Sequence, residues 1–403
     1  MKVVQINTTC GIGSTGRICL GISELLSADR IENYILFSSI GNGDPLGIRC
    51  SNDGYIRWQA VKSRILGNYG FNSQKATRRI ISELKRIAPD IVHIHNIHGH
   101  DCDLESLFNY CKEAHTKLVW TFHDCWAFTA YCPHFTICGC EKWKTECHHC
   151  PQYKDYSLFF DRSKTLFEKK RALFNGLDLT IVTPSEWLRE IVLQSFFKDY
   201  PVKTIHNGID TNVFRPAENT FREQYKISAD KKIVLGVAYD WSYKKGLDVF
   251  VGLSKRLDKE KYCIVLVGAG EINGNHPENM IVIPRTGSQR ELAEIYTAAD
   301  VFVNPTREEV LGLVNIEANA CGTPVITFDA GGSPECIDEK SGITVPCGDI
   351  GAVINSIERV CSGKIFKPED CVARAAGFDK NKTYGKYIKL YEEIHDGTSK
   401  HRV

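Results

Sequence analysis

Short apolar runs recur along the chain, and most end in a glycine-bearing or polar loop that leads into a stretch of helical periodicity. Residues 2–6, 34–37, 91–94, 118–122, 179–183 and 202–205 read as buried strands. The pattern restarts at 233–237, 263–267, 301–303 and 325–328. Helices are predicted from the glycines at 11–16 through Leu26, over 76–87 where Pro89 stops the pattern, and over 157–174, 291–299, 316–320 and 373–394. Residues 41–75 are polar and irregular and read as a loop. Strands that alternate with helices predict an α/β chain with parallel sheets.

A chain of 403 residues exceeds one ordinary core, so two doubly wound domains are expected, the first ending near residue 205 before the Asn207-Gly208 turn. A net charge of +1 argues against a dedicated nucleic-acid binder. No apolar run reaches the roughly 20 residues of a membrane-spanning helix, and the N-terminal run lacks the core and cleavage site of a signal peptide. The 17 cysteines are odd in number and scattered through apparent core segments, which fits a reducing cytosol. A cytoplasmic protein is expected.

The chemistry centres on residues 304–335, NPTREEVLGLVNIEANACGTPVITFDAGGSPE. Glu309 falls in a strand-to-helix loop, with Glu317 about two turns into the following helix. Gly312-Leu313 lie between them, and Gly331-Gly332 follow. Such loops at the carboxyl ends of parallel strands bind ligands, and their free N–H groups favour anions. Near the N-terminus, Gly11, Gly13 and Gly16 form a G-x-G-x-x-G at a strand-to-helix junction. The second strand ends in Ser38-Ser39 rather than in the acid a nicotinamide dinucleotide requires, so these glycines read as a close-approach loop for phosphate or sugar. Lys244-Lys245-Gly246 opens another helix, where an anion would offset the unfavourable dipole, and Gly268-Ala269-Gly270 repeats the strand-to-glycine pattern. His93, His95, His98 and His100 have no helix-borne zinc spacing and read as polar residues at a strand end. Asp101-Cys102-Asp103 is discounted as a metal motif.

The two glutamates with their glycines resemble the E-x7-E signature of family 4 glycosyltransferases, and Lys245-Gly246 matches that family's K-G element. The resemblance covers nearly the whole chain. It implies the GT-B fold: two Rossmann-like domains facing a cleft, an acceptor-side domain at 1–205 and a nucleotide-sugar domain at 206–380. A last helix at 381–403 would cross back to the first domain. It also implies a retaining hexosyltransferase-type enzyme without a catalytic metal, acting in polysaccharide biosynthesis. Glu309, His123 and Lys245 would be catalytic. Gly13, Gly16, Lys245, Arg285, Glu309, Gly312, Leu313 and Glu317 would hold the donor. The family's phosphate-binding Arg is replaced by Asp240, with Tyr239 for the Gly before it; Lys244, Arg285 or Arg17 would substitute. A nucleotide-sugar epimerase of the same fold and an inactive interaction scaffold stand as alternatives.

Residues 131–151 form a separate cysteine-rich insertion. Cys147-x2-Cys150 has knuckle spacing, and Cys132 with either Cys138 or Cys140 could complete a four-thiolate structural zinc site, with disulfides or free thiols as alternatives. A bacterial subgroup similar to colanic-acid and capsule-cluster enzymes carries the pattern Cys132, Cys140, Cys147 and Cys150, leaving Cys138 spare. The basic and apolar residues of 157–174 read as a solvated helix face or as a peripheral contact with the inner membrane surface, suited to a lipid-linked acceptor.

Overall fold

The computed structural model describes residues 1–268, 277, 279–363 and 365–397. The chain divides into two units, Met1–His206 with Tyr384–Val403, and Asn207–Thr383. Among the described residues no helix is long and apolar enough to cross a membrane.

The first unit is built on seven parallel strands: β1 Lys2–Asn7, β2 Glu32–Phe37, β3 Gly47–Arg49, β4 Ile91–Ile94, β5 Lys117–Thr121, β6 Leu179–Thr183 and β7 Val202–Thr204. Their order is β3-β2-β1-β4-β5-β6-β7. In β1, Val4 lies opposite Tyr34 on one side and Val92 on the other. Central strands covered on both faces need continuous apolar runs, which is why they were legible. The helix Gly13–Ala28 buries Ile18, Ile22 and Leu26 against Val3 and Ile91. The terminal helix Lys380–His395 adds Tyr384, Tyr387, Tyr391 and Ile394 to that same core.

The second unit repeats the plan with β8 Lys232–Val237, β9 Tyr262–Val267, β10 Met280–Ile283, β11 Val301–Asn304, β12 Val325–Phe328 and β13 Gly342–Val345. The order is β10-β9-β8-β11-β12-β13, again parallel. Two apolar clusters form its core. One joins Leu235, Phe302 and Ile316, and the other joins Val234, Phe250, Val303 and Ile357.

Several expectations need correction. The stretch 41–75 is not one loop: it holds β3 and the helix Asp53–Leu66, started by Asn52, which accepts from the Tyr55 N–H, and ended by Gly67 at φ 63°. The helix expected over 157–174 begins at Ser163, and it buries Leu166, Phe167, Lys170 and Phe174. Its apolar face therefore packs inside the unit, leaving Leu158 and Phe159 on the exposed loop before it. The helix expected over 373–394 is broken into Pro368–Ala375 and Lys380–His395 by a tight turn at Ala376–Phe378. Of the expected loop at Gly268, Ala269 and Gly270 lie outside the described residues.

Candidate active site

In the second unit the strand order reverses between β8 and β11, so the loops leaving these two strands form the crevice where open α/β sheets take ligands. Those loops carry Lys244-Lys245 and Glu308-Glu309. Lys245 Nζ donates to Glu309 Oε2 at 2.7 Å, and Lys244 pairs with the buried Glu308 at 3.5 Å. Burial lowers the Lys244 pKa, partly offset by Glu308. Arg307 ties the two loops together. Its guanidinium makes two bonds of 2.8 Å to Asp248 and lies 3.9 Å from the Tyr243 ring centroid, while its N–H donates to the Lys244 carbonyl. Two glycines make the close approach possible. A Cβ on Gly246, at φ 77°, would sit 2.5 Å from the Pro305 carbonyl oxygen, and one on Gly331, at φ 61°, 1.7 Å from that of Glu309.

The helix that follows, Leu313–Ala320, starts at Gly312 with φ 56° and has no side-chain cap, so its first N–H groups are not consumed by a capping side chain. Glu317 is its fifth residue and stands little more than one turn in. The expected two turns are too many, because Val310, Leu311 and Gly312 belong to the loop. Glu317 Oε2 accepts from Tyr296 OH at 3.1 Å, and burial, then Glu317, push the Tyr296 pKa well up. Beside Gly312 lies Ser333, whose buried Oγ has no hydrogen-bond partner among the described residues. Arg285 follows β10 and is exposed, its guanidinium 5.7 Å from the Tyr239 ring centroid.

In the first unit the strand ends after β1, β4 and β5 carry the candidate groups. Gly16 is buried where a Cβ would meet Thr9 Oγ1 at 2.7 Å, while Gly13 is open and held at φ 71°. Three groups behind the strand ends fix the proton positions on His123. Gln5 Nε2 donates to the Cys19 carbonyl at 2.9 Å, so Gln5 Oε1 is the acceptor for His95 Nε2–H at 3.0 Å. Burial lowers the His95 pKa well below its ordinary value, so its Nδ1 is a lone-pair acceptor for His123 Nε2–H at 3.1 Å. Burial also pulls the His123 pKa down, to about 4, against the pull of Asp124. A neutral imidazole results, with Nδ1 left as an acceptor. Next to it, His98 Nε2 lies 2.8 Å from Asp124 Oδ2. Burial opposes both charges, but the pair prevails: His98 is raised and Asp124 is held at about 2. His93 is a core residue, bonded to Tyr391 OH at 2.6 Å and Thr121 Oγ1 at 2.8 Å.

Two family descriptions match the chain: Glycosyltransferase Family 4 over residues 19–213, and Glycosyl transferases group 1 over residues 231–362. WcaC of Escherichia coli K12, described as a colanic acid biosynthesis glycosyl transferase, is 28% identical over 98% of this chain and 100% of its own. The chain belongs to the family 4 glycosyltransferases. Its fold is the family's GT-B fold. Sucrose-phosphate synthase of Thermosynechococcus elongatus superposes with a TM-score of 0.69 at 17% identity, over 98% of this chain and 100% of that one. Anabaena HepE, solved in complex with UDP and glucose, superposes with a TM-score of 0.67 at 16% identity, with the same coverage.

For a family 4 glycosyltransferase, the second unit thus gathers Lys245, Glu309, Gly312, Leu313 and Glu317 on two loops and one helix, with Arg285 after the edge strand β10. The sequence pattern did not single out Arg307, Tyr296, Gln5 or His95 for the site. Their partners lie 59, 21, 14 and 28 residues away or more, and only the folded sheet brings them together. Cys132, Cys140, Cys147 and Cys150 line one small cavity, whereas Cys138 is exposed and accepts from Gln152. Burial raises the thiol pKa of Cys147 to about 12 and of Cys150 to about 11. Among the described residues no disulfide forms, and no group of three or more His, Cys, Asp or Glu is disposed to hold a metal ion.

Proposed function

We propose that this glycosyltransferase is a retaining enzyme that moves a sugar from a UDP- or GDP-linked donor to a hydroxyl of a growing polysaccharide or lipid-linked oligosaccharide. The observation that carries the reading is the Lys245–Glu309 pair at the switch point of the second sheet. A donor diphosphate draws the Lys245 ammonium onto its oxygens and releases Glu309 to accept from sugar hydroxyls. Lys245 and the N–H groups at Gly312 and Leu313 stabilise the charge that grows on the leaving diphosphate. Glu317, held by Tyr296, takes the ribose hydroxyls, so donor and reacting carbon are fixed in attack geometry. The sugar's bond to the diphosphate oxygen breaks as the acceptor oxygen bonds on the same face, and the leaving oxygen takes the acceptor's proton. His123 Nδ1 accepts from a sugar hydroxyl, and Gly13 and Gly16 line the approach. Arg285, beside Tyr239, takes the place of the Arg replaced by Asp240. The donor unit is the second unit, Asn207–Thr383, and the enzyme works in a bacterial cytoplasm.

No step is routed through a metal, so EDTA should leave turnover unchanged. A structural zinc on Cys132, Cys140, Cys147 and Cys150 is supported only by their shared cavity. Metal content well under one zinc per chain after mild purification removes it. The activity itself is tested by sugar-dependent release of UDP or GDP. Lys245→Ala, Glu309→Ala and Glu317→Ala should each lower kcat/KM by about 100-fold or more, the scale of losing one preorganised transition-state contact. Wild-type turnover in all three contradicts the site. Isomerisation of the donor without acceptor would establish the epimerase instead.

A further inference from the structure

Half of the large apolar side chains that the described residues expose gather at one place on the first unit. Trp58, Val61, Ile65 and Leu66 lie on the helix Asp53–Leu66, and Leu158, Phe159 and Phe160 on the loop before the helix Ser163–Phe174. The two segments are joined. The Leu158 N–H donates to the Arg64 carbonyl at 2.7 Å, and a Cβ on Gly67 would meet Ser157 Oγ at 2.8 Å and the Phe160 carbonyl at 3.2 Å. The helix is inverted relative to an ordinary surface helix: it buries Gln59 and Ser63 and turns Trp58, Val61 and Ile65 outward at i, i+3 and i+7. Trp58 is 63% exposed, Phe159 65% and Phe160 52%. An apolar patch of this kind marks an interaction surface.

Charge decides the occupant. Residues 49–66 and 154–162 carry six basic and three acidic side chains, and Arg57, Lys62, Arg64 and Arg162 are exposed among the apolar ones. Asp53 is already paired with Arg49 at 2.7 Å. The Arg162 guanidinium lies 5.6 Å from the Phe160 ring centroid. Protein interfaces deplete Lys at their centre, whereas here Lys62 stands between Val61 and Ile65. Aromatic rings interleaved with basic groups match the head-group layer of an anionic bilayer, which takes the rings at its boundary and the cations at its phosphates.

We propose that this face docks the first unit on an anionic lipid bilayer, with Trp58, Phe159 and Phe160 inserted at head-group level and Arg57, Lys62 and Arg64 on the lipid phosphates. Binding is measured without sugar transfer, so it stands or falls separately from the transferase reading. The full chain should co-sediment with phosphatidylcholine vesicles containing about 30% phosphatidylglycerol and not with phosphatidylcholine alone. The triple variant Trp58→Ser, Phe159→Ser, Phe160→Ser should lower that binding about tenfold or more, as should Arg57→Glu with Lys62→Glu. Both variants should keep the wild-type Tm, because these side chains are exposed. Failure to sediment with anionic vesicles, or wild-type binding by the triple variant, overturns the proposal. So does a dimer in solution that the triple variant dissolves, since a second copy would then be the occupant.

Discussion

At the scale of single residues, the proton positions on His123 follow from a backbone carbonyl three groups away. Histidine nitrogen NMR on the intact chain should show His123 protonated at Nε2 and neutral down to about pH 5. Gln5→Leu removes the acceptor that orients His95. It should mix the tautomers and lower kcat more than it raises KM, with a stability loss of about 1–3 kcal/mol from the unpaired buried ring. An unchanged His123 tautomer in that variant would refute the relay. His123 also shapes the acid response. Its folded pKa lies below the unfolded value near 6.5, so the unfolded chain binds the extra proton between them and stability falls as pH drops from about 6.5 to about 4. This single group accounts for at most about 3 kcal/mol of that loss. His123→Asn should flatten the slope of unfolding free energy over this range, and an identical slope would contradict the burial argument. Lys245, Glu309, Gly312 and Glu317 were singled out as donor candidates because each stands in a local motif with glycines. Gln5 and Arg307 were not, because nothing within several residues of either announces its partner.

At the scale of elements, the loop carrying Glu309 is held by Arg307 and by the glycines packed on it. Arg307→Lys cannot restore the two-pronged contact with Asp248 or the stacking on Tyr243, so it should weaken donor binding nearly as much as Arg307→Ala. Wild-type affinity in the Lys variant, measured by calorimetry, would show that charge alone suffices. The central strands were predicted because both faces are buried and the apolar runs are continuous, whereas β3, β10 and β13, each at a sheet edge, were missed. The helix Asp53–Leu66 was missed because its buried positions are Gln59 and Ser63, so its periodicity points outward. The helix Leu313–Ala320 was expected only from Ile316, and it starts three residues earlier because Gly312 sets it through backbone conformation.

At the scale of the whole molecule, the first unit is completed by the far end of the chain, since Tyr384, Tyr387 and Tyr391 pack with Val3, Ile22 and Ile91. Truncation before Tyr384 removes these buried rings, uncovers Val3, Ile22 and Ile91, and should leave the first unit unfolded, seen as loss of near-ultraviolet circular dichroism; a native signal would refute the packing argument. Two parallel sheets were legible from the alternation of runs and loops, but the return of the last helix to the first core came only from the family resemblance. The central claim is that the second unit holds a nucleotide-sugar through Lys245, Glu309 and Glu317. Its most direct test is the Tm of wild type and of Glu317→Ala with UDP, GDP, ADP and CMP in turn. A nucleotide at about 100 times its Kd adds about 2.7 kcal/mol to stability. The account predicts a clear rise in wild type with UDP or GDP that is lost in Glu317→Ala. No rise with any nucleotide, or the same rise in both proteins, would contradict it.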